Sequence, residues 1–324
     1  MTRYQQFLYS FLLLFICCIL AVGQLQASWQ FQSSWECHAS KEINKTYEAG
    51  DLAWLDLKAL AGNLIITGKK GSDTIRFKGE ACADSEEHLA AIQLDEAQTN
   101  GGLELTVIIP YKDVGYDPEY AYMDIEVELP SSLALKVTDS SGDMELQNTS
   151  ATHIDDSSGS IRVEENHAQL TIKDSSGDMT IRENQGDLTI RDSSGDIDVR
   201  DINGKLTIPS DSSGDIVAFE VSGTVEIQND SSGDIEITRA GAGVVIGSDG
   251  SGEMDITQVQ GDVAINNDGS GSITITDISG SVQIGYDGSG RLSVEKIGGD
   301  FIVNGKGSGG IRNREVQGKV DIPR

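Results

Sequence analysis

Apolar and polar residues alternate in short runs through most of the chain that follows residue 138. In one stretch, Ile197 and Val199 are separated by a polar residue, and Leu206 and Ile208 repeat the arrangement a few residues later. A period of two predicts β-strands that bury one face and expose the other. Each such stretch is therefore predicted to hold two short strands.

The two-strand pattern recurs at an almost fixed step. A tetrapeptide, Asp-Ser-Ser-Gly or a near copy, separates the strand pairs and returns ten times between Asp139 and Gly309. Its first residue stands at positions 139, 156, 174, 192, 211, 230, 249, 268, 287 and 306, so the step is 17, then 18 twice, then 19 six times. Such a period is typical of a solenoid, in which each copy buries its apolar side only against its neighbours.

The recurrence predicts an all-β fold for the chain. Residues 139–324 are expected to form a parallel β-solenoid, a right-handed β-helix of about ten turns of 17–19 residues. Residues 28–138 are expected to form a smaller, mostly β segment that leads into the array. That segment is predicted to contain a short helix near residues 85–91 and a hairpin across residues 92–107. The tyrosines of residues 111–122 are expected to pack over the end of the array.

The residues of the tetrapeptide indicate a corner of the coil. The glycine and the serine before it recur in all ten copies, whereas the aspartate gives way to Lys306 in the last. Glycine supplies backbone angles that residues with a Cβ avoid, and a serine hydroxyl can bond the backbone of the corner. The aspartate is expected to accept hydrogen bonds from backbone N–H groups two residues on. The extra residue of the longer copies enters just before the aspartate, where it does not exchange the faces of a strand.

Residues 1–27 have the features of an export signal. Arg3 is the only charged residue, an apolar run extends from Phe7 to Val22, and Ala27 closes a small-residue cleavage point. An uncleaved anchor is the alternative, although the run is short for a membrane span. Removal of the signal leaves no stable membrane span and leaves Cys37 and Cys82 as the only cysteines, so the exported chain holds either one disulfide or two unpaired thiols.

The net charge of -28 argues against nucleic acid as a natural partner, because phosphates would be repelled.

The recurring aspartates would repel one another, since like charges about 5 Å apart repel by about 1 kcal/mol even in water. A calcium column would offset this repulsion, and its ligands would be Asp174, Asp192, Asp211, Asp230 and Asp249. Hydrogen bonds at the corner explain the aspartates without a metal, and the repeat is not the nonapeptide of calcium-binding rolls. We therefore expect no cofactor, with calcium as the alternative.

From residue 51 to residue 324 the sequence resembles a bacterial β-strand-repeat family, the domain of unknown function 4097 (DUF4097), which carries the label "putative adhesin". The resemblance rests on the run Ile125–Pro130 and on the Ser-Ser-Gly-Asp-Ile repeats that follow it. It implies the solenoid fold and an adhesin-like binding role, and it provides no catalytic residues to transfer.

These observations favour a non-enzymatic binding or spacer module that is exported to the periplasm or cell surface. Its expected partner is an envelope polymer or protein. The four histidines are scattered, and the array has no long insertion that would build a cleft. No catalytic residue is assigned, and a polysaccharide-degrading β-helix enzyme is the alternative function.

Overall fold

The computed structural model describes residues 37–99, 101–109 and 119–323. The predicted export signal and the tyrosines at positions 111 and 116 lie outside the described residues. In the described part the fold is nearly all β, and its one helix has six residues. No helix in that part is long and apolar enough to cross a membrane.

The first elements of the fold mix antiparallel and parallel pairing. They are β1 (Ala39–Glu48), β2 (Trp54–Lys58), β3 (Leu64–Lys69), β4 (Thr74–Ala83), α1 (Glu86–Ala91), β5 (Gln93–Thr99), β6 (Gly102–Ile108) and β7 (Ala121–Pro130). The predicted hairpin is present, because β5 and β6 pair antiparallel. The predicted helix is α1, and the Ser85 side chain caps it by accepting the His88 N–H at 3.2 Å.

The array follows with two short strands in each turn. Its strands are β8 (Ala134–Thr138), β9 (Met144–Gln147), β10 (Ser150–Asp155), β11 (Ile161–Asn166), β12 (Leu170–Lys173), β13 (Met179–Gln185), β14 (Leu188–Arg191), β15 (Ile197–Asn203), β16 (Leu206–Ser210), β17 (Ile216–Val221), β18 (Val225–Asn229), β19 (Ile235–Ala240), β20 (Val244–Asp249), β21 (Met254–Val259), β22 (Val263–Asp268), β23 (Ile273–Ile278), β24 (Val282–Ile297), β25 (Phe301–Val316) and β26 (Val320–Asp321). Each strand pairs in parallel with its equivalent one turn away, as β13 does with β15. The prediction of a parallel β-solenoid of about ten turns is confirmed.

Parallel stacking also extends into the segment before the array. Strand β2 lies between β6 and β8, and β3 lies between β7 and β9, all with parallel pairing. Beyond them the direction reverses, because β4 pairs antiparallel with both β7 and β1. The two stacks of strands therefore end in β5 and β1 on the N-terminal side.

The core is built from the apolar columns that the sequence pattern predicts. Ile197, Val199, Leu206 and Ile208 are all 0 % exposed, and the equivalent residues of the neighbouring turns lie directly above and below them. Complete burial of one such side chain contributes about 1.5–3 kcal/mol. Because every turn repeats these positions, the core is continuous along the array.

The corners have the predicted chemistry. Gly195 has a φ of +127°, and a Cβ at this position would overlap the carbonyl oxygen of Gly177 in the preceding turn. The Ser194 hydroxyl donates to the Ser175 carbonyl oxygen at 3.2 Å. The glycine therefore makes the close approach of successive corners sterically feasible, and the serine hydroxyl links the two corners.

The residue that lengthens the later copies lies at the end of a strand. In the pairing of β14 with β16, Thr189 is opposite Thr207, whereas Arg191 is opposite Ser210. The additional residue is therefore accommodated just before Asp211, and the inward columns of the next strands keep their register.

A disulfide joins Cys37 to Cys82, with their Cα atoms 5.8 Å apart. Cys82 lies in β4, and Cys37 lies just before β1, which pairs with β4. The bond therefore fastens the outermost strand of one stack to its neighbour, and of the two alternatives left by the sequence the structure contains the disulfide.

Candidate functional site

The recurring aspartates lie inside the coil. Nine of them form one continuous column, here called the aspartate column, with exposed fractions of only 0–4 %: Asp139, Asp156, Asp174, Asp192, Asp211, Asp230, Asp249, Asp268 and Asp287. The sequence analysis identified these residues but did not recognise that they are buried. A signal was present in the shorter copies, where Leu188, Ile190 and Asp192 occupy alternate positions and so share the inward face.

From Asp139 to Asp211 a backbone N–H holds one carboxyl oxygen of each aspartate in the column. The Ser157 N–H donates to Asp156 Oδ1 at 2.8 Å, and the Ser193 N–H donates to Asp192 Oδ1 at 2.7 Å. The expected donor two residues on is seen at Asp174 as a longer second bond of 3.3 Å from Ser176. The main donor is thus the next residue, because the carboxyl group turns inward beside its own peptide.

The other carboxyl oxygen has no such donor. The Oδ2 atoms of Asp139, Asp156, Asp174, Asp192 and Asp211 are buried and have no hydrogen-bond partner among the described residues. A buried ionised carboxylate with unsatisfied oxygens is costly, so its neutral form is favoured.

The pKa values of the column follow from this burial. Burial, together with the charge of Asp156, raises the pKa of Asp139 to about 7. Burial and, to a smaller extent, the charges of neighbouring aspartates of the column raise the pKa values of Asp156, Asp192, Asp211 and Asp230 to about 6. In mildly acidic solution these groups therefore retain protons that an unfolded aspartate would have released.

In its middle turns the aspartate column offers a calcium ion few free oxygen atoms. Between Asp174 and Asp211 each turn commits one oxygen to a serine N–H, which leaves one oxygen per turn for a metal. Calcium takes six to eight oxygen ligands. Among the described residues there is also no group of three or more His, Cys, Asp or Glu side chains placed to hold a metal ion.

A second acidic column follows the glycines on the outside of the corner. It comprises Asp143, Asp178, Asp196, Asp215, Asp234 and Glu253. Asp196 Oδ1 accepts the Asp215 N–H at 2.9 Å, and Asp215 Oδ1 accepts the Asp234 N–H at 2.9 Å. These exposed carboxylates link each turn to the next by hydrogen bonds, which is a structural role.

An open groove of about 410 Å³ lies along another corner of the coil. Its polar lining comes from Arg239, Gln258, Gln260 and Asp277. Arg239, Gln258 and Asp277 occupy equivalent positions of three successive turns, with φ between 58° and 63°. This left-handed backbone directs the three side chains outward from one column. The sequence analysis missed the groove, because outward residues at a corner carry no periodic signal.

Two ion pairs and a cation–π contact lie at the ends of the groove. The Arg239 guanidinium lies 3.9 Å from the Phe219 ring centroid and 2.7 Å from Glu220 Oε1. At the other end, Asp277 Oδ1 is 3.4 Å from Lys296 Nζ. The groove therefore presents amide and guanidinium donors and contains one carboxylate, which already has a cationic neighbour.

The histidines do not converge on one site. His38 contacts the Tyr120 hydroxyl at 2.9 Å, and His88 lies 2.5 Å from Asp84 at the start of α1. The hydrogen bond from His88 lowers the pKa of Asp84. His153 and His167 lie in or beside the array, in β10 and after β11.

The stacked two-strand turns, glycine corners and buried side-chain columns define a β-solenoid repeat protein. The chain belongs to the Toastrack DUF4097 family, whose sequence model matches residues 49–248. The family membership expected from the resemblance is thus confirmed. No curated protein matches the chain.

Several solved structures are similar to this chain at low identity. A "putative cell adhesion protein" of Clostridium sporogenes is 12 % identical, with a TM-score of 0.26 over 88 % of this chain and 99 % of that one. A "putative adhesin" of Bacteroides fragilis is 15 % identical, with a TM-score of 0.25 over 87 % and 96 %. A "Putative lipid binding protein" of Parabacteroides distasonis is 12 % identical, with a TM-score of 0.28 over 86 % and 96 %.

Proposed function

We propose that this chain is an exported, non-enzymatic binding module of the cell envelope, and that it adheres to a surface polymer or a partner protein. The observation that carries this proposal is the open groove in which Arg239, Gln258, Gln260 and Asp277 place four polar side chains on stacked turns. Guanidinium and amide groups at fixed spacing can bond the hydroxyl and carbonyl groups of an extended polymer.

Export to the periplasm or cell surface is part of the proposal. It is supported by the signal-like residues 1–27 and by the disulfide between Cys37 and Cys82, since disulfides persist in oxidising compartments. The large negative charge favours solubility there and disfavours strongly anionic partners.

The alternative function, degradation of a polysaccharide, would need a pair of carboxyl groups across a cleft. Among the residues that line the groove there is one carboxylate, Asp277, which lies 3.4 Å from Lys296 Nζ, and no second carboxyl group faces it. The groove thus supports binding better than hydrolysis.

The test is a binding screen of the purified exported chain against envelope polysaccharides, glycan arrays and envelope extracts. We expect retention on one polymer or protein class, with no shortening of polymer chains in the same samples. Chain shortening would establish the enzyme instead, and absence of retention on every probe would contradict the proposed adhesion.

A matched pair of variants tests whether the groove is the binding surface. Arg239→Asn removes the guanidinium, and asparagine tolerates the left-handed backbone of this position. Asp201→Asn places the same residue at the equivalent left-handed corner two turns earlier, outside the groove. Weaker retention of Arg239→Asn alone is expected, and equal retention of both variants would place adhesion elsewhere.

A further inference from the structure

The C-terminal part of the aspartate column differs from the rest. We call Asp230, Asp249, Asp268 and Asp287 the carboxyl ladder. Its members are 0–4 % exposed, and Asp249, Asp268 and Asp287 face one another in register on successive parallel strands. Neighbouring strands of a sheet lie about 4.8 Å apart, so the carboxyl groups of adjacent turns are close enough to touch.

The tetrapeptide changes at three of these four aspartates. At positions 249, 268 and 287 the copy is Asp-Gly-Ser-Gly, so glycine replaces the first serine. The Gly250 N–H donates to the Asp230 carbonyl oxygen at 3.2 Å, and the Gly269 N–H donates to the Asp249 carbonyl oxygen at 3.0 Å. The N–H that holds a carboxyl oxygen in the earlier turns thus bonds the preceding turn here.

Both carboxyl oxygens of Asp230, Asp249 and Asp268 are buried and have no hydrogen-bond partner among the described residues. Asp230 is still followed by a serine, so at this position the change to glycine is not the cause. Asp249 is within hydrogen-bonding contact of Asp230 and Asp268, and Asp268 is in the same contact with Asp287. Two carboxyl groups form a hydrogen bond only when one of them carries a proton.

The surroundings offer no counter-charge to Asp230, Asp249 and Asp268. Within the described ranges, no ion pair includes a member of the aspartate column. Asp211 precedes the ladder in the column, and Lys306 follows Asp287 in the register of the last turn. Elsewhere in the column the outer residues that act on it are also acidic, as Asp155 does on Asp156 and Asp196 does on Asp211. Fully ionised neighbours would therefore repel in a medium that screens poorly.

We propose that the carboxyl ladder is a proton-binding site, in which successive turns of the solenoid share protons between the carboxyl groups of Asp230, Asp249, Asp268 and Asp287. Asp249 accepts hydrogen bonds from protonated carboxyl groups on both sides. The protons complete the packing of the corner in place of a metal, and the folded chain binds more protons than the unfolded chain around neutral pH.

Infrared spectroscopy of the unaltered chain tests the site directly. At pH 6, where an unfolded aspartate is ionised, we expect a carbonyl-stretch band of protonated carboxyl groups that disappears when the protein is unfolded in denaturant. The unfolding equilibrium constant should also rise with pH between 5 and 7, by about tenfold per pH unit for each extra proton held by the fold. A missing band at pH 6 would overturn the proposal.

Substitutions in the carboxyl ladder test which carboxyl groups hold the protons. Asp249→Asn keeps the shape of the side chain and supplies N–H donors to both neighbours, so it should weaken the infrared band and reduce the pH dependence of unfolding. Asp215→Asn, in the exposed acidic column, is the control and should change neither. If Asp249→Asn does not fold, Asp268→Asn and the spectrum of the unaltered chain decide the question.

Thermal unfolding with and without calcium distinguishes bound protons from a bound metal ion. Thermal unfolding is measured at pH 7 in millimolar calcium and in chelator. An unchanged midpoint supports protons as the ligand. A midpoint raised by calcium, together with loss of the infrared band, would show that the ladder holds a cation and would overturn the proposal.

Discussion

Asn166 Nδ2 donates a hydrogen bond to Asn184 Oδ1 at 2.8 Å, and both side chains are 0 % exposed on successive turns of the coil. Asn166 also bonds the backbone of the preceding turn, accepting the Ala151 N–H at 2.7 Å and donating to the Ala151 carbonyl oxygen at 3.1 Å. The pair thus connects three turns inside the core. In the next turn Ile202 takes the place of the asparagine.

Asn166→Ala should destabilise the fold strongly. It leaves the Ala151 backbone groups and the Asn184 amide oxygen buried without partners, and we expect a loss of about 3 kcal/mol in the free energy of unfolding. Denaturant titration measures the loss. Asn203→Ala, at an exposed position, should cost less than about 0.5 kcal/mol. Equal effects of the two substitutions would contradict the role assigned to the buried pair.

The corner glycine should not tolerate a side chain. Gly195→Ala adds a Cβ where φ is +127° and where the Gly177 carbonyl oxygen already lies, so we expect a loss of about 3 kcal/mol or more. Gly310→Ala is the matched control, because no atom lies within 4 Å of the added Cβ. The two melting temperatures, compared with that of the unaltered chain, provide the measurement. A Gly195→Ala melting temperature as high as that of the control would refute the steric argument.

Loss of the disulfide should act mainly at the N-terminal side. Cys37 and Cys82 are 45 residues apart, and closure of such a loop in the unfolded chain corresponds to about 4 kcal/mol. In Cys37→Ser with Cys82→Ser we expect a lower melting temperature and faster amide hydrogen exchange in β1, whose one strand partner among the described residues is β4. A reducing agent should then have no further effect on the double variant. Uniformly faster exchange through the array would contradict a local role.

Stability should fall as the pH rises through neutrality. Burial raises the pKa of Asp139 to about 7, above its value of about 4 in the unfolded chain. Its stabilising contribution is therefore complete below about pH 4 and is lost as the pH rises through 7. Asp139→Asn retains an oxygen for the Leu60 N–H, which is 2.9 Å from Asp139 Oδ1, and should reduce the decline in melting temperature between pH 5 and pH 8.

Glu128 and Glu226 contribute to the loss of stability at acidic pH. Hydrogen bonds from Lys69 and Lys205 lower the pKa values of these two carboxyl groups, so the stability that they contribute is lost as the pH falls below about 4. Together with the aspartate column they predict a stability maximum in mildly acidic solution. A maximum at pH 8 in thermal unfolding scans would contradict the assignment of the column.

The sequence predicted those parts of the fold that repeat. Alternation identified the inward columns of Ile197 and Leu206, and recurrence identified Gly195 as a corner, because periodic burial and a special backbone angle leave the same residue types in every copy. The pairing of β2 and β3 with the first strands of the array was not predicted. These strands lack the tetrapeptide, and their contacts depend on long-range register.

The candidate site was predictable only in part. The aspartates were identified as a column, but their placement inside the coil depends on how the corner turns the side chain, which the residue type does not specify. The change from Ser193 to Gly250 after the aspartate is visible in the sequence, yet its effect on the carboxyl group appears only when the hydrogen bond of that N–H is traced. The groove could not be predicted, because it depends on where three outward side chains of three successive turns lie relative to one another.

The last two long strands have a consequence for the length of the array. Strands β24 and β25 pair continuously through the corner, with Ser289 opposite Ser308 and Gly290 opposite Gly309, while β26 pairs only with Phe301 and Ile302. The outer edge of β25 beyond residue 302 therefore offers backbone groups spaced for one more strand. A further 19-residue copy added by gene duplication would find its register already set along this edge.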